Sequence, residues 1–292
     1  MSGRDRSKGW QFAKLNGHRY ETTFCDKVKK GIDKEFNEKL MECVKKLGVN
    51  DEPVDCDSSS GKSMVDDIFG GKTQSKKDIT VKFQDDKVVN FSIKKPSTIG
   101  GQVHLSTLSR FLDAMEIITG RPVPNEVKWV FRAFTGETEG NTIKEFTGGA
   151  KLHGPIIAKH NELAEIYQNR LYASTLEIEF SKKWDAFNSW FNGYMPEITR
   201  LLFSTGYCKN PEDFATILHY GNGCHFLIID DLIKATKGRE IYPSKHGYYK
   251  GSTLIMPWGF LEVHRPGKHE GPYQLQFHHN RDSILEIMET KK

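Results

Sequence analysis

Lys77 to Phe83 and Asn90 to Lys95 form the segment with the most chemistry in it. Ile79, Val81 and Phe83 share one side of a first strand, and Val89, Phe91 and Ile93 share one side of a second. A three-residue loop, Asp85 to Lys87, pairs these two sets on a single apolar face, as burial requires. That register sets Asp78 opposite Lys94 and Thr80 opposite Ser92. A carboxylate and a lysine then meet on the polar face, at the open end of the hairpin. The carboxylate is a hard oxygen ligand suited to Mg²⁺. A metal there polarises a phosphate oxygen and lowers the pKa of a bound water. The lysine orients that water and offsets charge on the phosphate. The chemistry expected is metal-assisted phosphodiester hydrolysis. Mg²⁺ usually takes several oxygen ligands, and Glu21, early in the first helix, is the candidate for a second carboxylate. An acid in a first helical turn is also favoured by the helix dipole alone.

The order Glu21, then Asp78, then Ser92-Ile93-Lys94 resembles the PD-(D/E)XK nuclease superfamily. The segment Gly71-Lys72-Thr73-Gln74-Ser75-Lys76-Lys77 before Asp78, and Gln102-Val103-His104 after the hairpin, are similar to some type II restriction endonucleases. The likeness covers about residues 17–118. Two positions depart from the pattern. Lys77 stands where the family has proline, and Ser92 where an acid is usual. The latter weakens metal binding unless Glu21, Glu116 or a water replaces the acid. The resemblance implies a central mixed β-sheet flanked by helices and Mg²⁺-dependent cleavage of double-stranded DNA. It implies that Asp78 and Glu21 bind metal, that Lys94 assists the attacking water, and that Ser92 occupies the remaining catalytic position.

Further contacts to DNA are expected from two places. Gln102, His104 and Arg110 follow the hairpin at a loop and helix start, where side chains and backbone N–H groups meet phosphate. The stretch Lys234 to Lys250 interleaves cations with Tyr242, Tyr248 and Tyr249, and Lys237, Arg239, Lys245 and Lys250 are its candidates for the phosphate backbone. A solvated surface explains the same residues. His278, His279 and Asn280 resemble an HNH string, but twelve residues after Asn280 leave little room for its final helix. Ser60-Gly61-Lys62-Ser63 resembles the tail of a P-loop, yet Cys56 stands where its first glycine belongs.

The elements that must position these residues follow from periodicity. Phe24, Val28, Ile32, Phe36, Leu40 and Val44 recur every fourth residue, which predicts one helix from about Thr22 to Leu47, closed by Gly48. Residues 49–77 read as a long loop with one turn near Met64–Phe69. Helices are expected over 104–119 and 125–134, and from Ile156 to about Phe203 with breaks near Gly193 and Pro196. Strands are expected at 224–229, 252–256, 259–264 and 273–278, with a closing helix at 282–290. The fold class expected is α/β (α+β): a restriction-endonuclease-like core with a further β-rich region towards the C-terminus. Two domains are expected, 1–134 as the catalytic core and 135–292 as the part completing the fold and recognising DNA.

Composition narrows the classes. The 292 residues carry 37% hydrophobic and 27% charged side chains, enough for a core and too polar for a membrane protein. No stretch approaches the roughly 20 apolar residues of a spanning helix. Net charge, +4, does not by itself establish a nucleic-acid partner. Met1 to Arg6 lacks the apolar run of a signal peptide, so a cytoplasmic protein is expected. The five cysteines, with no CxxC pair, are expected as free thiols. No GxSxG or GxGxxG occurs, and no organic cofactor is expected. A homodimer is expected if both strands of a symmetric site are cut. Two alternatives stay open: a DNA-binding protein on a nuclease-like scaffold without catalysis, and a structure-specific repair or RNA-processing nuclease.

Overall fold

The computed structural model describes residues 19–31, 33–58, 63–95, 101–137, 170–221, 224–245, 251–264 and 274–289. The expected helical stretch 156–169, Lys250 and the segment 59–62 lie outside them. The chain divides into two units, each discontinuous in sequence: 1–101 with 200–232, and 102–199 with 233–292. The expected boundary at 134/135 falls inside the second unit.

The first unit is built on a mixed five-stranded sheet. Its strands are β1 (Pro53–Asp57), β4 (Ile79–Phe83), β5 (Val88–Lys94), β7 (Ile217–Tyr220) and β8 (Phe226–Ile228), in that spatial order. A separate ribbon pairs β2 (Met64–Asp66) with β3 (Lys72–Gln74). Only β5 and β7 run parallel; β1–β4, β4–β5 and β7–β8 are antiparallel. The expected loop over 49–77 is therefore wrong. It holds β1, β2 and β3, whose short polar strands carry no clean alternation. Residues 217–220, not expected as a strand, fill the gap beside β5. All four are buried, so they show neither alternation nor length to mark them.

Two helices cover the apolar face: α1, helical over the described residues 19–30, and α2 (Lys34–Lys45). The single helix expected over 22–47 is broken at Gly31, which takes a left-handed conformation (φ 61°). Asp33 restarts the second helix by accepting the Phe36 N–H at 3.1 Å. The every-fourth-residue pattern survives the break because both helices face one core. Phe24, Phe36, Leu40 and Val44 pack there with Ile79, Val81, Phe83, Val89 and Phe91. Cys25 of α1 and Cys56 of β1 form a disulfide, which corrects the expectation of free thiols at those positions.

The second unit holds another five-stranded sheet. Its order is β6 (Gly101–Thr107), β12 (Gln274–His279), β11 (Gly259–His264), β10 (Leu254–Met256) and β9 (Tyr242–Pro243). Its helices are α3 (Leu108–Thr119), α4 (Asn125–Thr135), α5 (Ala173–Glu179), α6 (Ser181–Gly193) and α9 (Arg281–Glu289). Between α6 and α9 in the chain lie α7 (Met195–Arg200) and α8 (Ile229–Thr236); the chain passes from one unit to the other at the last residue of α7 and again within α8, between Leu232 and Ile233. Phe111, Phe131, Phe187 and Phe191 form an aromatic core with edge-on and tilted ring contacts 5.0–6.1 Å apart. Among the described residues no helix is long and apolar enough to cross a membrane. The fold is mixed α/β: each unit has its own five-stranded sheet with helices packed in the same unit, and the second is β-rich towards the C-terminus.

Candidate functional site

The β4–β5 hairpin closes through Gln84, Asp85 and Asp86. Phe83 donates its N–H to the Lys87 carbonyl at 2.9 Å, and Asp86 donates to the Phe83 carbonyl at 3.1 Å. Asp86 carries the left-handed φ of 59° that such a three-residue loop demands, which a short polar side chain tolerates. The loop length is as expected, but it begins one residue earlier. The register is thereby offset by two: Ile79 pairs with Phe91 and Val81 with Val89. A slip of two keeps every side chain on its face, so the hydrophobic pattern does not distinguish the two registers.

The offset changes the site. Extending the observed pairing by one residue puts Asp78 across from Ser92 rather than across from Lys94. The Asp78 N–H donates to the Phe91 carbonyl at 2.8 Å. Asp78 Oδ2 accepts the Ile93 N–H at 2.7 Å and the Ser92 hydroxyl at 3.1 Å. Lys94 Nζ donates to Ser92 Oγ at 2.7 Å and stands 3.7 Å from Asp78 Oδ2. Asp78, Ser92 and Lys94 thus meet in one connected network although Asp78 and Lys94 are not directly opposed. Ser92 is wholly buried and bridges the two charges. The side chains of Asp78 and Lys94 are 26% and 15% exposed, so a ligand reaches the carboxylate more readily than the serine.

The rest of the polar face is held by the chain that follows α7. Asn90 Nδ2 donates to the carbonyls of Glu212 and Phe214, both at 3.0 Å, and Thr80 donates to Asn90 Oδ1. Lys77 reaches the Glu212 carbonyl at 2.6 Å and Asp213 at 3.7 Å. A polar cavity of about 440 Å³ lies nearby, lined by Asp55, Asp57, Lys77, Thr80, Lys82 and Asp213. Lys76, not singled out in the sequence, is a further charge here. Burial first, and then repulsion from Lys94, push its pKa down to about 7, with Asp78 acting the other way.

Glu21 lies on α1, half-buried, next to Tyr20. The Tyr20 ring packs so closely on Gly221 that a Cβ there would come within 2.5 Å of it, and Gly221 donates its N–H to the Lys94 carbonyl at 3.0 Å. The helix therefore brings the Glu21 region to the Lys94 end of β5. Glu116, considered as a substitute acid, is committed in the second unit to the Val123 N–H and to Lys128. These contacts hold its carboxyl below the usual range.

No family model and no curated protein matches this chain. Among solved structures it is similar to a crystal structure of the restriction endonuclease MspI in complex with its cognate DNA. The two share 14% sequence identity and a TM-score of 0.45 over 89% of this chain and 87% of that one.

The remaining expected DNA contacts belong to the second unit. Gln102 and His104 lie on strand β6 (101–107) rather than on a loop, whereas Arg110 stands at a helix start as expected. Gln102 is exposed and accepts from Gln276 Nε2 at 2.8 Å, and the His104 ring lies 6.4 Å from that of Phe277. Arg110 stands in the first turn of α3, its N–H on the capping Thr107 hydroxyl. Lys237 and Lys245 are exposed; Arg239 is half-buried, with Nε on the Ala235 carbonyl at 3.1 Å. Among the described residues no three His, Cys, Asp or Glu side chains gather as a metal cage. The donors at the hairpin are one carboxylate and one neutral hydroxyl. That set fits Mg²⁺, which keeps several waters and shares its shell with substrate phosphate.

Proposed function

We propose that this chain is a Mg²⁺-dependent endonuclease for double-stranded DNA on a restriction-endonuclease-like core, sequence-specific and acting as a homodimer. The observation that carries the reading is the Asp78–Ser92–Lys94 network at the open end of the hairpin. Asp78, with Glu21 from α1, would hold the metal. Bound Mg²⁺ supplies a Lewis acid for the phosphate and a more acidic water. Lys94 holds the attacking water and offsets charge on the phosphate. Ser92 fixes the Lys94 amine and, being neutral, leaves the site short of one ligand charge.

A second reading has its own support. Asp78 Oδ2 is already satisfied by the Ile93 N–H and the Ser92 hydroxyl, a network that stands without metal. A DNA-binding scaffold without catalysis has the same arrangement. Long unmodified DNAs incubated with Mg²⁺ or EDTA distinguish the two. The wild type is expected to give discrete fragments only with Mg²⁺, and Asp78→Ala and Lys94→Ala each to cut at least about 100-fold more slowly. DNA bound but intact would favour the scaffold. Cutting that survives both substitutions would reject the site. Preference for forks, single strands or RNA would move the substrate to a repair or RNA-processing class.

A further inference from the structure

The second unit has a cavity of its own, about 450 Å³, where three elements meet. Tyr242 of β9 and Ile255 of β10 are register partners there. With Met256 and with Ile287 of α9 they give the cavity an apolar lining. Its charged groups are Arg239 and Glu240, from the chain between α8 and β9, and Glu286 of α9.

Each of these elements is pinned. Ile241 is buried and donates its N–H to Asn192 Oδ1 at 3.1 Å. Ser244, just after β9, donates to the Thr253 carbonyl at 3.0 Å. Asn280 donates to the Trp258 carbonyl at 2.8 Å, and its Oδ1 accepts the Ser283 N–H at 3.0 Å, which fixes where α9 begins. Arg239 Nε donates to the Ala235 carbonyl at 3.1 Å. That bond sets the plane in which the other guanidinium donors lie.

The Tyr242 ring is 46% exposed although Ile241 beside it is buried. Packing within the unit leaves part of the ring for a flat ligand to cover by stacking. The charged groups narrow that ligand. A guanidinium donates two parallel hydrogen bonds, and guanine offers O6 and N7 to it along one edge. A carboxylate accepts two, and guanine offers N1–H and its N2 amine along the next edge. Adenine gives the guanidinium one acceptor per edge, and cytosine gives the carboxylate its N4 amine alone. Guanine fills both groups at once. From Lys237 to Lys245 the chain carries three cations and one acid, and both lysines are exposed. They suit the phosphate that a nucleotide adds to the base.

We propose that this cavity is a guanine site. Tyr242 stacks on the base and Arg239 donates to O6 and N7. Glu286, entering from a different element than Arg239, accepts from N1 and N2. The proposal goes beyond the cleavage reading and does not depend on it, since these residues belong to the second unit and not to the hairpin network. The base has two sources, a free guanine nucleotide or an unpaired guanine in a bound strand.

The test is calorimetric titration of the full chain with guanosine, adenosine and cytidine 5′-monophosphates. A second arm compares an oligothymidylate carrying one central guanine with the same oligomer lacking it. Guanine is expected to be favoured about tenfold. Preference among the mononucleotides assigns a free nucleotide; preference in the oligomer alone assigns a base within a strand. In either case Tyr242→Ala should weaken binding about tenfold, Tyr242→Phe should restore it, and Glu286→Gln should remove the preference for guanine. Both side chains are exposed, so these substitutions leave the core intact. Equal binding of the three nucleotides together with equal binding of the two oligomers overturns the site. Unchanged affinity in Tyr242→Ala, or an unchanged preference in Glu286→Gln, does the same. A chain that cuts no DNA still answers in both arms, and one that cuts still fails here if guanine is not preferred.

Discussion

A histidine in the first unit shows how one buried ring sets a pH limit. His219 of β7 is buried, stacks on Phe226 with centroids 4.5 Å apart, and meets Phe24 and Phe36 edge-on. Its Nδ1 lies 3.1 Å from the His225 carbonyl. A carbonyl only accepts, so Nδ1 carries a proton, and burial favours the neutral form of the ring. Burial pushes the pKa down to about 4 from the usual 6.5. The unfolded chain therefore takes up a proton at a higher pH than the folded one. This contribution is complete above pH 6.5 and is lost as pH falls towards 4. The loss is roughly 3 kcal/mol at its full extent. Urea unfolding at pH 7 and pH 4.5 should show a steeper fall for wild type than for His219→Phe. Parallel falls would mean the ring is protonated in the native state.

At the scale of elements, the Cys25–Cys56 disulfide ties the helix that carries Glu21 to the edge strand of the sheet that carries Asp78. The linked cysteines are 31 residues apart, a loop whose closure stabilises by about 3–4 kcal/mol in the chain-entropy account. Cys25→Ser and Cys56→Ser should each lower the midpoint of thermal unfolding. A dithiol reductant should do the same to the wild type and nothing further to the variants. An unchanged wild-type midpoint under reductant, with free-thiol counting that finds all five cysteines reduced beforehand, would show the bond does not form. Nothing in the sequence marks this pair, because the two partners are brought together only by the sheet.

The same limit explains the other elements that pattern reasoning missed. The helices around Phe111 and Phe131 and the strand Gly259–His264 were legible because each alternates or repeats against one buried face. Strand Ile217–Tyr220 was not, since a strand buried on both faces has no period and four residues are too few to outweigh a histidine. At the candidate site the residue types were legible: Asp78, Ser92 and Lys94 do meet. Their exact opposition was not, because a two-residue slip costs the hydrophobic pattern nothing and was decided by the turn at Asp86. Lys76 was invisible for a different reason. Its partner is Gly206, 130 positions away, and only the folded chain shows that a glycine lies along its stem.

On the scale of the whole molecule, the candidate chemistry and the candidate DNA contacts fall in different units. Asp78, Ser92, Lys94 and Glu21 belong to the first unit; Gln102, His104, Arg110, Lys237, Arg239 and Lys245 belong to the second. If both serve one DNA, the two roles are separable by mutation. Phosphate contacts release counterions, so each adds about 0.9 to the slope of log affinity against log salt. Neutralising Lys237, Arg239, Lys245 and Lys250 to alanine should then weaken duplex binding and flatten that slope by up to about 3–4. The same variant, given saturating DNA, should cut at close to the wild-type rate, because Lys237, Arg239 and Lys245 belong to the second unit and not to the hairpin network. Asp78→Ala should do the reverse, keeping the slope and losing the cut. An unchanged slope in the fourfold variant would remove the basic segment from the interface and leave its lysines as solvated surface. A variant that lost rate and slope together would mean that the basic segment also orders the reacting phosphate, and that the division of labour between the units is not the one drawn from their residues.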